Sequence, residues 1–359
     1  MLRDRKVAPG ALFALLAAVL WGVGAPLGKM LLAHSGPIMV AALLYIGSGL
    51  GLLVLRPLLQ PRPAGAGHRH EAPLGRSDVG VGALALLTGG ILAPCLLMFG
   101  LDRVSAVTGS LLLALEAPFT ILIAVALFRE HLGWREVGAA VLIVVGAAIV
   151  GYQPGEMRTD WIGAAAVAAS SLAWAVDSNL SQKLSLRDPV AVIRFKAIGG
   201  GLLMLLFSFA AGQRLPGPPM LGLALAIGCV SYGVSAVFWM RALRLLGAAR
   251  VASYFATAPL LGALAAIPIL GERLHRPDLL AMMLMAVGVA LLLGERHAHV
   301  HVHEEMEHDH AHVHDEHHRH EHRAPHDTGV EPHAHSHRHE PLTHDHPHVS
   351  DLHHRHDHD

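Results

Sequence analysis

Ten long apolar stretches, separated by short polar segments, fill almost all of the chain up to residue 296. They run over roughly 10–32, 36–56, 79–100, 105–128, 135–152, 160–181, 189–211, 219–241, 247–270 and 277–294. A helix rises about 1.5 Å per residue, so about 20 apolar residues cross the hydrocarbon core of a bilayer. Lipid offers the backbone no hydrogen-bond partners, which leaves helices as the form for spans of this length. The pattern therefore predicts an all-α integral membrane protein with ten transmembrane helices. Arg3, Arg5 and Lys6 precede the first apolar run as in a secretion signal, but that run continues to about Leu32 and further spans follow. A retained first helix is expected.

The fourth and ninth stretches echo each other. SAVTGSLLLALEAPFTILIAVALFREHL (105–132) resembles GAARVASYFATAPLLGALAAIPILGERL (247–274). Pro118 matches Pro259 at an offset of 141, and Glu130 and Leu132 match Glu272 and Leu274 at 142. Trp21 and Lys29 near the first span likewise match Trp174 and Lys183 near the sixth, with one residue of slip. The chain thus divides into a first five-helix repeat (1–152), a second (153–296) and a tail (297–359). Five spans per repeat make the second insert upside down, an arrangement of transporters with the substrate near the midplane between halves. Placing the amino terminus inside leaves most loop lysines and arginines on the cytoplasmic side, and both termini are then cytoplasmic.

Composition changes this picture at the carboxyl end. Residues 1–296 carry 23 Lys and Arg against 14 Asp and Glu, while 297–359 carry 4 against 14 and hold 24 of the 29 histidines. The overall charge of −1 is a cancellation. In the tail, His297, His299, His301 and His303 alternate with other residues, as do His308, His310, His312 and His314. Alternation in an extended chain places the rings on one side, and neutral imidazole suits Ni, Zn, Co and Cu. So polar a segment is expected to be disordered without metal. Two cysteines inside apolar runs, Cys95 and Cys229, give neither a disulfide framework nor metal-ligand spacing.

The paired tryptophans, the E-x-P of Glu116 and Pro118, and the closing Glu of REHL and GERL resemble the drug/metabolite transporter superfamily, specifically its EamA-type branch. The resemblance covers about 10–294. It implies a secondary transporter in a bacterial inner (plasma) membrane that exports small metabolites or drug-like organic compounds. Two alternatives stand beside it: a divalent-metal transporter fed by the tail, and a metal-binding or sensing membrane protein that moves nothing. Neither enzymatic activity, a required cofactor nor a nucleic-acid partner is expected, since the chain has no phosphate loop or zinc-protease motif. The expected partners are a small-molecule substrate, lipid and divalent metal.

Candidate residues follow from what a bilayer tolerates. A carboxylate at mid-depth faces a cavity or a partner, so Glu116 is the leading candidate for proton coupling or for a cationic group on substrate. The structural alternative is an acid bonded across helices beside the break at Pro118. Asp177, one turn from Trp174, is too short to reach the interface easily, whereas Lys29 and Lys183 can extend to it. Trp21 and Trp174 sit deeper than an interfacial belt, which leaves cavity lining or simple packing, and their matched positions favour lining. Ser253, Tyr254 and Thr257 are plausible cavity groups before Pro259, with interhelical packing as the alternative. Glu130 and Glu272, beside Arg129 and Arg273, are expected to be ion-paired, structural helix ends.

Overall fold

The computed structural model describes residues 2–59, 74–128, 133–152, 160–184, 187–246 and 248–293, and four short stretches of the tail. Among these residues nine helices are long and apolar enough to cross a membrane: α1 (Pro9–Leu32), α2 (Pro37–Leu55), α3 (Arg76–Arg103), α4 (Ala106–Ile123), α5 (Trp134–Gly151), α7 (Val190–Ala210), α8 (Pro218–Leu243), α9 (Ser253–Leu270) and α10 (Arg276–Leu293). A further helix, α6 (Trp161–Leu184), stands where the sixth span is expected. Its second half carries Asp177, Asn179, Gln182 and Lys183, which makes it more polar than the others.

The helices pack in a pattern that survives exchange of the two halves. α1 packs on α8 and α9, and α6 packs correspondingly on α3 and α4. α2 meets α7, α4 meets α9, and α5 meets α10, each helix against its own counterpart. Departures from regular helix recur in register too. α3 contains a π-helical turn at Thr88–Leu92 and α8 one at Gly228–Val234. α4 tightens to a 3₁₀ turn at Leu113–Leu115, and the chain turns out of helix at Ala256–Thr257 inside α9. Apolar helices in a bilayer gain little from the hydrophobic effect and need close backbone approach. Gly90 and Gly200 supply it between α3 and α7, since a Cβ on Gly200 would overlap the Gly90 carbonyl.

At one end of the bundle two charged side chains cap the corner between α3 and α4. The corner's free carbonyls at Leu101 and Val104 accept hydrogen bonds from the Lys29 ammonium at 2.5 and 2.6 Å. Its free amides at Ala106 and Val107 donate to the two Glu272 carboxylate oxygens at 2.7 and 2.9 Å. Gly271, at φ 67°, ends α9 and turns the chain so that Glu272 returns to the corner. An acid at a helix amino terminus meets both the unpaired amides and the dipole.

In the tail, His297–His303 pairs antiparallel with Leu342–His348, and Met306–His312 with His333–His339. The rest of the tail lies outside the described residues.

Glu272→Gln keeps the shape of the cap and removes its charge. Thermal unfolding in detergent should show a loss of about 1–2 kcal/mol for Glu272→Ala and a smaller loss for Glu272→Gln. Equal stability of both variants with the parent would mean that the corner is held by other contacts.

Candidate functional site

Eight helices, α1 to α4 and α6 to α9, surround a cavity of about 810 Å³ counted with its open mouth. α6 presents Trp174, Asp177, Ser178 and Ser181 to it. Their spacing of three, four and seven residues is one helix face, which places a polar stripe inward. On α8 the same spacing aligns Tyr232, Ser235, Ala236 and Trp239, and α7 adds Ile193, Lys196 and Ala197. Trp21, Tyr45, Ser48, Gly89, Glu116 and Phe255 complete the wall from the remaining helices. The π-helical turns of α3 and α8 and the irregular turns of α4 and α9 all contribute residues to this wall or adjoin one that does. Such turns recur at functional sites because they re-aim side chains that a regular helix would misplace.

Three charged side chains face the cavity. The Lys196 ammonium lies 2.6 Å from each oxygen of Asp177, and the Ser181 hydroxyl donates to Asp177 Oδ1 at 3.3 Å. The pair is close-fitted, since a Cβ on Gly89 would overlap the Asp177 carboxyl. Tyr45 fixes that segment by donating to the Gly89 carbonyl at 2.6 Å. Glu116 receives a hydrogen bond from the Ser178 hydroxyl at 3.1 Å. Among the described residues no Lys, Arg or His lies within ion-pair distance of Glu116. Aromatic rings form the apolar wall: Trp21 and Trp174 meet edge to face at 5.4 Å, and Phe255 lies 5.3 Å from Trp21.

Of the candidates from sequence, the structure brings together Glu116, Trp21, Trp174 and Asp177. Ser253, Tyr254 and Thr257 are not in the wall. The Ser253 hydroxyl is bonded to the Leu292 carbonyl at 3.3 Å, Thr257 donates to the Tyr254 carbonyl, and Tyr254 packs with Ala14 and Val251. Phe255 is the residue of that segment that reaches the cavity. Glu272 binds backbone amides rather than pairing with Arg273, because the α4 amino terminus lies within its reach. The Lys29 ammonium donates to the Leu101 and Val104 carbonyls. Glu130, and the side chains of Lys183 and of the tail histidines His297, His299, His301, His303, His308, His310, His312 and His314, lie outside the described residues. Among the described residues no group of three or more His, Cys, Asp or Glu could hold a metal ion.

Lys196 is the functional candidate that the sequence patterning overlooks. Its signal is present: a lysine seven residues into an apolar helix, with an acid on the helix before it. Tyr45 and Tyr232 carry no such signal, since aromatic residues are ordinary in membrane helices.

The model of the EamA-like transporter family matches this chain twice, over residues 8–152 and 161–294. An uncharacterized transporter of Methanothermobacter thermautotrophicus is 30% identical over 294 residues, spanning 79% of this chain and 85% of that protein. An uncharacterized protein of Pseudomonas aeruginosa is 32% identical over 197 residues, 54% of this chain and 67% of the relative. A solved crystal structure superposes with a TM-score of 0.58 at 18% identity, over 79% of this chain and 96% of the other, a likeness of fold. With both family matches falling on the two helical halves that enclose the cavity, the chain belongs to the EamA-like transporter family.

Proposed function

We propose that the chain is a secondary transporter that moves small organic compounds by alternating access, with the cavity as the substrate site. The observation that carries this reading is the position of Glu116: a carboxylate with no cation within ion-pair distance among the described residues, in a cavity walled by both halves. An intramembrane acid is costly to keep and marks a pathway. Glu116 binds either a proton or a cationic group on the substrate, and exchange between the two couples the flows.

In this reading the two halves are inverted five-helix repeats with α6 as a tenth span, and the termini face the cytoplasm of a bacterial inner membrane. The exchange-invariant packing and the doubled family match support the repeats. The Lys29–Glu272 end is then the outer gate, closed. In this reading the direction is export.

The tail is a separate metal-binding element. Its strand register pairs His297 with His348, His299 with His346 and His301 with His344 along the backbone, and a segment this rich in histidine and acids suits Ni, Zn, Co or Cu. A metal substrate is disfavoured because the described residues of the membrane portion offer few ligands: a dehydrated divalent ion needs about four to six, and the cavity provides two carboxylates, one already paired.

Transport in inverted vesicles, over a panel of labelled amines, amino acids and divalent metals, tests the reading. An organic compound should be moved against its gradient by the parent chain. Glu116→Gln should abolish that while expression and helix content stay near the parent; movement of metal alone would establish the metal alternative instead. A chain ending at Arg296 should transport as the parent does and lose nearly all Ni and Zn binding. In the full chain that binding should fade below about pH 6, because imidazolium cannot ligate. Titrating metal against transport in liposomes, full-length beside truncated, shows whether the tail also regulates; equal responses would rule that out.

A further inference from the structure

We propose that the Asp177–Lys196 ion pair fixes the charge of the cavity, and thereby selects an organic occupant that carries one positive charge. The inference rests on the cavity being the substrate site, and it names the substrate class of that site.

The groups facing the cavity that can bear charge are Glu116, Asp177, Lys196 and the phenols Tyr45 and Tyr232. Lys196 and Asp177 cancel. Both oxygens of Asp177 lie 2.6 Å from the ammonium, and the Ser181 hydroxyl is within 3.5 Å of it. Gly89 closes the other side of the carboxyl. What remains is Glu116, whose hydrogen bond from Ser178 comes from a neutral donor. The cavity with Glu116 ionised therefore has a formal charge of −1.

In a low-dielectric enclosure that charge decides the occupant. An anion would face two carboxylates and would have to pull Lys196 from a two-oxygen contact. A zwitterion would leave Glu116 uncompensated, and a dication would leave one positive charge unmatched. A single organic cation satisfies Glu116, and its apolar body meets Trp21, Trp174 and Phe255, whose ring faces attract cations.

The repeat shows that these charges are not a common feature of the two halves. At the offset of 153 that relates Trp21 to Trp174, the counterparts of Asp177 and Lys196 are Gly24 and Leu43. The counterpart of Glu116 in the second half is Thr257 or Ala258. All three are found once.

Trp21, Trp174 and Trp239 line the cavity, so quenching of tryptophan fluorescence in the purified full-length chain reports occupancy. The probes are benzyltrimethylammonium, 3-phenylpropionate, phenylalanine and p-xylylene-bis(trimethylammonium), which differ mainly in charge. The parent should bind the monocation at least about tenfold more tightly than the anion or the zwitterion. Asp177→Asn frees Lys196 to neutralise Glu116 and should lose about tenfold or more of monocation affinity. Lys196→Met should shift preference to the dication, and the double variant, again at −1, should return it to the monocation. A parent that prefers the anion or zwitterion, or shows no preference by charge, overturns the proposal, and so does one order of preference across all four proteins. If the single variants do not fold, the double variant decides: a folded double variant without monocation preference is also contrary. Glu116→Gln separates the two levels. Cation binding unchanged in Glu116→Gln means that the substrate-site reading has failed. Cation binding lost there, with no effect of the pair variants, means that only the role of the pair has failed.

Discussion

An ammonium and a carboxylate held 2.6 Å apart between apolar helices constrain everything around them. Removing two charges from water is costly, and their attraction offsets that cost only when the geometry is close and the remaining hydrogen bonds are made. Stranding one partner would cost about 3–5 kcal/mol, so α6 and α7 are bound in one register for as long as both charges are present. The neighbouring structure is arranged to permit the pair. Gly89 leaves room for the Asp177 carboxyl, and Tyr45 holds the Gly89 carbonyl. The π-helical turn that contains Gly89 brings α3 against α7 where Gly90 meets Gly200.

The same bundle gives its two ends different character. At one end Lys29 and Glu272 satisfy two carbonyls and two amides that helix formation leaves open at the α3–α4 corner, and Ser105 takes the Thr108 amide. Glu272 belongs to the second half and the corner to the first, which makes this cap a contact between halves. Movement of one half against the other must break it, and the irregular turns in α3, α4, α8 and α9 lie where such movement would be felt by the cavity wall.

Much of this was legible in the residues. Span length and apolarity give the helices, and the recurrence of Trp21 at Trp174 and of Glu130 at Glu272 gives the duplication, because a duplicated half keeps what its packing requires. Glu116 and Asp177 announce themselves because a carboxylate is costly in lipid. The third charge, Lys196, was missed although it is no less costly, because long lysines at helix ends usually reach water and this one is turned inward by Asp177. Ser253, Tyr254 and Thr257 misled because a helix-face argument needs an unbroken helix, and the turn at Ala256–Thr257 rotates the face so that Phe255 points inward. Glu272 was expected to pair with the adjacent Arg273; no feature of the local sequence shows that the amino terminus of α4, 165 residues away, lies within reach.

Thiol labelling tests most directly whether the cavity is the path of the substrate. Ala236 lines it on α8, and Ala236→Cys in a chain lacking Cys95 and Cys229 places one reporter there. A membrane-impermeant maleimide should label this cysteine, and a transported compound should slow the labelling. A cysteine that labels at a rate indifferent to any transported compound would contradict the assignment of the cavity as the transport site.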